Sequence, residues 1–72
     1  MPRYFFHIRN GGDLIEDCDG LELPEVAAAR DECSKAIREI LAEKEWQAVP
    51  SECEFVIVDD RGLTVAVVPI RA

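Results

Sequence analysis

The fold is decided by residues 24–44, whose sequence is PEVAAARDECSKAIREILAEK. Apolar residues recur there at alternating steps of three and four, namely Val26, Ala29, Cys33, Ala36 or Ile37, and Ile40. Because an α-helix turns once every ~3.6 residues, this spacing places them in one apolar stripe. Pro24 suits the first helical turn, and we expect the helix to end near residues 44–47, before Pro50.

Shorter segments with alternating apolar residues flank this helix and predict β-strands. They are residues 3–10, 14–18, 52–59 and 63–70, with a brief extended piece at residues 21–23. Glycine-containing turns at residues 10–13 and 59–62 join the strands in pairs.

The predicted element order is therefore β-β-α-β-β, which makes residues 1–72 a single α+β domain. A right-handed crossover favours a four-stranded antiparallel sheet of order 2-1-3-4, with the helix packed on one face. The alternative order 2-1-4-3 would make strands one and four parallel. Because Pro69 has no N–H to donate, we expect the end of the last strand to lie at a sheet edge or beyond the paired region.

The composition describes an acidic chain, with 15 acidic and 8 basic residues among 72 and a net charge of −7. This charge disfavours nucleic acid as a partner, because nucleic-acid binding depends on basic residues. No stretch has the roughly 20 apolar residues of a membrane span, and the N-terminus lacks the apolar core of a signal peptide. We therefore expect a cytoplasmic protein that contacts no membrane and keeps its three cysteines reduced.

One helix can cover one face of the predicted sheet, yet both faces carry apolar residues. We assign to the helix side Phe6, Ile8, Phe55, Ile57, Leu63, Val65 and Val67. The opposite face then carries the candidate interface residues, which are Phe5, His7, Val56, Val58, Val68 and Ile70. Since their burial is favourable, we expect a homodimer through the sheet face away from the helix. The alternative is that these residues are half exposed simply because strands favour them.

The residues that could carry chemistry do not form a recognisable constellation. Cys18, Cys33, Cys53 and His7 could together supply zinc ligands, but no C-x-x-C or H-x-x-x-H spacing supports a site. Neither a nucleophile–base pair nor a phosphate-binding glycine loop is indicated. We therefore expect no metal, no cofactor and no catalytic residue, and predict that the chain is not an enzyme.

Several stretches together carry a family likeness. They are MPRYFFHIR at residues 1–9, Gly11 and Gly12, Asp17, Gly20, ELPEVAAAR at residues 22–30, and FVIVDDRG at residues 55–62. These stretches resemble a family of short bacterial proteins known as a domain of unknown function. The resemblance spans nearly the whole chain and implies a bacterial, cytosolic, single-domain protein, with no activity to carry over. More loosely, a small sheet with one helix is similar to the partner-binding domains of some antitoxins.

Two functions are consistent with these patterns. The first is a non-catalytic, self-associating interaction or regulatory module that uses the sheet face away from the helix. The second is an antitoxin-like binder of a basic partner protein, which the net charge of −7 favours. A small enzyme is a third and less favoured function, because the sequence indicates no catalytic constellation.

Overall fold

The computed structural model describes residues 1–42 and 53–70, which form an antiparallel sheet with one helix against it. The elements are β1 (Arg3–Asn10), β2 (Asp13–Ile15), β3 (Leu21–Glu22), α1 (Val26–Ala42), β4 (Cys53–Val58) and β5 (Thr64–Pro69). The predicted α+β class is thereby confirmed. No helix among these residues is long and apolar enough to cross a membrane.

The strands follow the order β2-β1-β4-β5, with β3 attached to β1, and every pair is antiparallel. This differs from the predicted four-stranded order 2-1-3-4 by the fifth strand, while the four shared strands keep their predicted neighbours. The difference arises because the extended piece before the helix pairs with Arg3 and Tyr4 instead of only leading into α1.

The second predicted strand, residues 14–18, forms β2 over Asp13–Ile15 and then leaves the ladder. Ile15 pairs with Ile8, and Leu21 pairs with Tyr4. The chain therefore advances six residues from Ile15 to Leu21 while β1 advances only four between Ile8 and Tyr4. The two extra residues are accommodated in residues 16–20, which we call the 16–20 bulge. The strand prediction was wrong here because alternation does not reveal added residues.

The helix α1 begins at Val26, two residues after Pro24, and packs its apolar stripe on the sheet as predicted. Ala29, Cys33 and Ile37 are its buried residues. Because the side chain of Ala29 is a single methyl group and is 0% exposed, the helix axis can lie close to the sheet at this point. The predicted helix end at residues 44–47 lies outside the described residues.

The strand β4 lies in the middle of the sheet, between β1 and β5. Its residues Cys53, Phe55 and Ile57 are buried in the core with α1, as predicted. Tyr4 of β1 belongs to the same core cluster. Apolar burial of this kind stabilises the fold by roughly 25 cal/mol per Å² of area removed from water.

The turn between β4 and β5 is held by Asp59, a buried charged residue. Its Oδ1 accepts the backbone N–H groups of Arg61 and Leu63, each at 2.9 Å. The Leu63 N–H does most to lower the pKa of the Asp59 carboxyl, and it outweighs the opposing effect of burial. Gly62 takes a φ of 85°, in the left-handed region that favours glycine, within the glycine-containing turn predicted at residues 59–62.

A β-bulge overturns the predicted phase of β5. Val58 pairs with Thr64, but Ile57 pairs with Ala66, which leaves Val65 as an extra residue. Because side chains alternate between the two faces of a strand, one extra residue inverts the facing of every later residue.

The inversion places Val68 and Ile70 on the helix side and Val67 on the opposite face. Val68 pairs with Phe55 and packs against the core, and Ile70 is 2% exposed. The prediction that Val68 and Ile70 belong to the interface, and that Val67 faces the helix, is therefore wrong. Leu63, also assigned to the helix side, is instead exposed at the turn.

The strand β5 is the outermost strand, and no described strand pairs with its far edge. The backbone N–H of Ile70 donates to Cys53 O at 3.0 Å, so the ring nitrogen of the neighbouring Pro69 points to that far edge. Proline is tolerated there because the ladder inside the sheet loses no donor. The predicted edge position of Pro69 is confirmed.

Ile70→Ala should lower the free energy of unfolding by about 2–5 kcal/mol, because it leaves a cavity in the core. Leu63→Ala removes the same number of carbon atoms at the exposed turn and should cost less than ~0.5 kcal/mol. Urea denaturation followed by circular dichroism measures both. An effect at Ile70 as small as that at Leu63 would contradict the inverted phase of β5.

Candidate interface on the outer sheet face

The sheet face turned away from α1 has an apolar centre. Cross-strand pairs build it from two rows, Phe5–Val58–Thr64 and His7–Val56–Val67. We call these six residues the outer face. No element among residues 1–42 and 53–70 lies over it as α1 lies over the helix side.

Side chains of the outer face differ in how far their neighbours cover them. Val56 is buried between the adjacent strands, whereas Phe5, His7 and Val58 are half-buried. Val67 is 41% exposed and projects its apolar surface into solvent. The Phe5 and His7 rings stack with centroids 6.4 Å apart and planes inclined by 15°. They present a flat aromatic surface that suits contact with another apolar surface.

An ion pair bounds the outer face at each end. Arg9 Nε donates to Glu54 Oε1 at 2.7 Å, from β1 to β4. At the other end Arg3 Nη2 donates to Glu22 Oε1 at 2.9 Å, from β1 to β3. These exposed pairs add little stability. Their two positive and two negative charges cancel, however, so this face is neutral in a chain of net charge −7.

Four of the six predicted interface residues lie together on this face, namely Phe5, His7, Val56 and Val58. Val68 and Ile70 do not, because the bulge at Val65 turns them toward α1. Val67 is the exposed apolar residue of the outer face that sequence reasoning missed. The pairing register of the β4–β5 hairpin places Val67 on this face, and hydrophobic alternation does not encode that register.

The 16–20 bulge is fastened to β1 by the side chain of Asp17. Its Oδ2 accepts the backbone N–H of Phe6 at 3.1 Å and so replaces the strand acceptor that the bulge removes from the ladder. Its Oδ1 accepts the N–H groups of Asp19 at 3.2 Å and Gly20 at 3.3 Å. One carboxylate therefore satisfies three backbone donors.

Asp17 also links the bulge to the outer face. Its backbone N–H donates to His7 Nδ1 at 3.0 Å, which requires that this ring nitrogen carry no proton. Partial burial raises the pKa of the Asp17 carboxyl, but the three backbone donors together hold it below the ordinary value of 3.8. Asp17 is therefore a fixed negative charge at neutral pH.

Gly20 lets the bulge lie directly against β1. It has a φ of 69°, in the left-handed region that favours glycine. A Cβ at this position would lie 2.9 Å from Arg3 Cγ and 2.9 Å from Phe5 Cε1. Because Phe5 belongs to the outer face, a side chain at Gly20 would disturb that face as well as the bulge.

The residues considered as zinc ligands are not brought together. Cys33 and Cys53 lie in the core beneath α1, Cys18 is exposed in the bulge, and His7 lies on the outer face. Burial raises the pKa of the Cys33 thiol to about 11. Burial, with a contribution from the Glu54 charge, raises the pKa of Cys53. In residues 1–42 and 53–70, no three His, Cys, Asp or Glu side chains are grouped to hold a metal ion.

The family model of a domain of unknown function, DUF6894, matches residues 3–71. The chain belongs to the DUF6894 family. The resemblance to an uncharacterised family is thereby confirmed. No curated protein and no solved structure matches the chain.

The stability of this DUF6894 domain should fall in acid partly because of Asp17. Its folded-state pKa lies below 3.8, so its contribution is complete above that value and is lost as the pH falls through the folded-state pKa. We expect the melting temperature to fall less steeply between about pH 4 and about pH 2 in Asp17→Asn than in the wild type.

Circular dichroism melts across this range measure the slopes. Asp31→Asn, which removes an exposed carboxylate from α1, is the matched control and should keep the wild-type slope. The slope of Asp17→Asn should remain above zero, because the pKa of Asp59 is also lowered. Identical slopes in Asp17→Asn and the wild type would show that the bulge contacts do not stabilise the folded state.

Gly20→Ala should destabilise the domain more than Gly62→Ala. Both glycines have positive φ values, 69° and 85°, so both substitutions incur the left-handed cost of about 1–2 kcal/mol. A new Cβ meets other atoms at Gly20 and open space at Gly62. The excess for Gly20→Ala should be roughly 1–3 kcal/mol by urea denaturation. Equal losses of unfolding free energy in the two variants would mean that the 16–20 bulge shifts to accommodate the new Cβ without destabilising the fold.

Proposed function

We propose that this DUF6894 domain is a non-catalytic interaction or regulatory module that self-associates as a twofold dimer through the outer face. The proposal is carried by one observation: an apolar centre, flanked by two ion pairs, on a sheet face that no described element covers. In a twofold dimer the same patch meets itself. Two sheets stacked about 10 Å apart would interdigitate these side chains.

Burial of the outer face would add to a small hydrophobic core. A domain of this size buries only about 60% of its unfolded surface and is marginally stable on its own. Removing Phe5, Val58 and Val67 from water contributes roughly 25 cal/mol per Å² of apolar area. Because the stability of a small domain is itself a small difference between large terms, this gain favours association.

Charge also favours a second copy of the chain at this face. Two chains of net charge −7 repel each other over most of their surfaces. On the outer face the charges of Arg3 and Arg9 are matched by those of Glu22 and Glu54. Two copies can therefore approach here with little repulsion, whereas a basic partner would find no excess of negative charge.

The described side chains support binding more than catalysis. His7 accepts a backbone hydrogen bond at Nδ1, which commits that nitrogen to the bulge. Cys33 is a protonated thiol at neutral pH, and thiolates are the nucleophilic form. The three free cysteines fit a reducing compartment, and we place the proposed dimer in the cytoplasm for that reason.

Val67→Asp should convert the dimer into a folded monomer. At a twofold interface the substitution brings two carboxylates near each other without a matching cation, which opposes association. The monomer fold should tolerate the change because Val67 is exposed on β5. Sedimentation velocity at micromolar concentration measures the molecular mass, and circular dichroism checks the fold.

Ile15→Asp is the matched control. Ile15 is another exposed β-branched residue on a strand, but it pairs with Ile8 and so belongs to the helix side of the sheet. This variant should remain dimeric. A monomeric wild-type chain would refute self-association, and a dimeric Val67→Asp would show that a different surface is used.

A further inference from the structure

A second surface combines negative charge with exposed apolar side chains. Residues 13–22, which we call the acidic edge, comprise β2, the 16–20 bulge and β3, and they run along one edge of β1. Their acidic side chains are Asp13, Glu16, Asp17, Asp19 and Glu22, and the segment contains no basic residue. Arg3 from β1 pairs with Glu22, and four carboxylates remain to set the local potential.

The acidic edge also carries three exposed aliphatic side chains. Leu14, Ile15 and Leu21 are half of the six large hydrophobic residues exposed in the described part of the chain. Single exposed hydrophobic residues are ordinary on protein surfaces. Ile15 and Leu21 pair with Ile8 and Tyr4 and so lie on the helix side of the sheet, whereas Leu14 pairs with Arg9 and lies on the opposite face. Of the three, Leu21 lines the space between this edge and α1, where its exposed apolar surface is open to a ligand.

A cavity of about 240 Å³ opens between this edge and α1. Its lining includes Phe6 and Phe55 from the sheet, Leu21 from β3, Ala36 from α1, and the acidic residues Asp17 and Glu32. A cavity of roughly 150 Å³ is large enough for a benzene ring. The space therefore suits one aliphatic or aromatic side chain.

The two carboxylates of this lining carry negative charge at the cavity. Asp17 is held ionised by backbone donors that supply no compensating positive charge. Glu32 is half-exposed, and its contact with Lys35 is loose, with 3.8 Å between Oε1 and Nζ. A positive charge at the mouth of the cavity would meet both groups at the boundary of an apolar space.

We propose that the acidic edge and this cavity bind a basic segment of a partner protein, which inserts one apolar side chain between Phe6, Leu21 and Ala36. Lysine or arginine residues that flank the inserted side chain face the carboxylates of the acidic edge. Negative charge selects a basic segment and sets its approach, while the buried apolar anchor supplies most of the binding energy.

The cavity lies on the other side of the sheet from the proposed dimer interface. The cavity is lined by Phe6 and Phe55, whose side chains lie on the helix side, whereas the dimer would use the opposite face of the sheet. Both surfaces can be occupied at once. The Val67→Asp variant therefore retains the cavity, and peptide binding by that variant separates failure of one proposal from failure of the other.

The test uses the whole chain, isotope-labelled for NMR, and three synthetic peptides. Their sequences are Lys-Lys-Phe-Lys-Lys, Lys-Lys-Ser-Lys-Lys and Glu-Glu-Phe-Glu-Glu. The first should shift the backbone amide signals of Leu21, Glu32 and Ala36, and bind roughly tenfold or more tightly than the serine peptide. The acidic peptide should not bind, and added salt should weaken binding of the first.

Two pairs of variants locate the site. Ala36→Leu fills the cavity, whereas Ala27→Leu adds the same side chain at an exposed position of α1. The first should weaken the phenylalanine peptide roughly tenfold and the second should not. Glu32→Gln should weaken it about twofold to fivefold, and Glu39→Gln, an exposed charge elsewhere on α1, should not.

Several results would overturn the proposal. One is that the phenylalanine peptide shifts no amide signal, and another is that the serine peptide binds as tightly as the phenylalanine peptide. A third is that Ala36→Leu and Ala27→Leu weaken binding of the phenylalanine peptide equally. Shifts centred on Val56 and Val67 would place the peptide on the outer face and would also overturn it. If melts show that Ala36→Leu is unfolded, the Glu32 and Glu39 variants decide, and equal effects of those two exclude the site.

Discussion

One helix lies across a sheet of five strands, and the rest of the structure follows from this mismatch. Ala29 brings α1 close to the sheet, and Phe55, Ile57 and Ile70 fill the space between them. The helix side is buried as far as α1 reaches. Beyond that reach Leu21 stays exposed beside a cavity, and the opposite face keeps its apolar centre in solvent. The two candidate surfaces are therefore the parts of the sheet that a single helix cannot cover.

Features with a regular period could be predicted from the sequence. The stripe through Ala29, Cys33 and Ile37 and the inward residues of β4 were predicted because their spacing continues unbroken. The phase of β5 could not be predicted, since one residue, Val65, inverts it. The 16–20 bulge was missed for a similar reason. An added residue is set by pairing with a neighbouring strand, which local periodicity does not report.

The candidate site divides in the same way. Phe5, His7, Val56 and Val58 were predicted because β1 and β4 pair without a bulge over these positions. Val67 lies beyond the Val65 bulge and was missed. The role of Asp17 was also hidden, because its partner Phe6 is 11 residues earlier in the chain and only the folded strand pairing brings them together.

Pro69 limits the ways in which copies of the chain can associate. Growth of a cross-β fibril needs an unbroken row of backbone donors and acceptors along an open strand. The ring nitrogen of Pro69 interrupts that row on the far edge of β5, and the bulge at Val65 distorts it again a few residues earlier. Templated fibril growth from β5 is thereby blocked at two points. Copies of the chain can therefore meet through the faces of the sheet without also adding strand to strand at this edge.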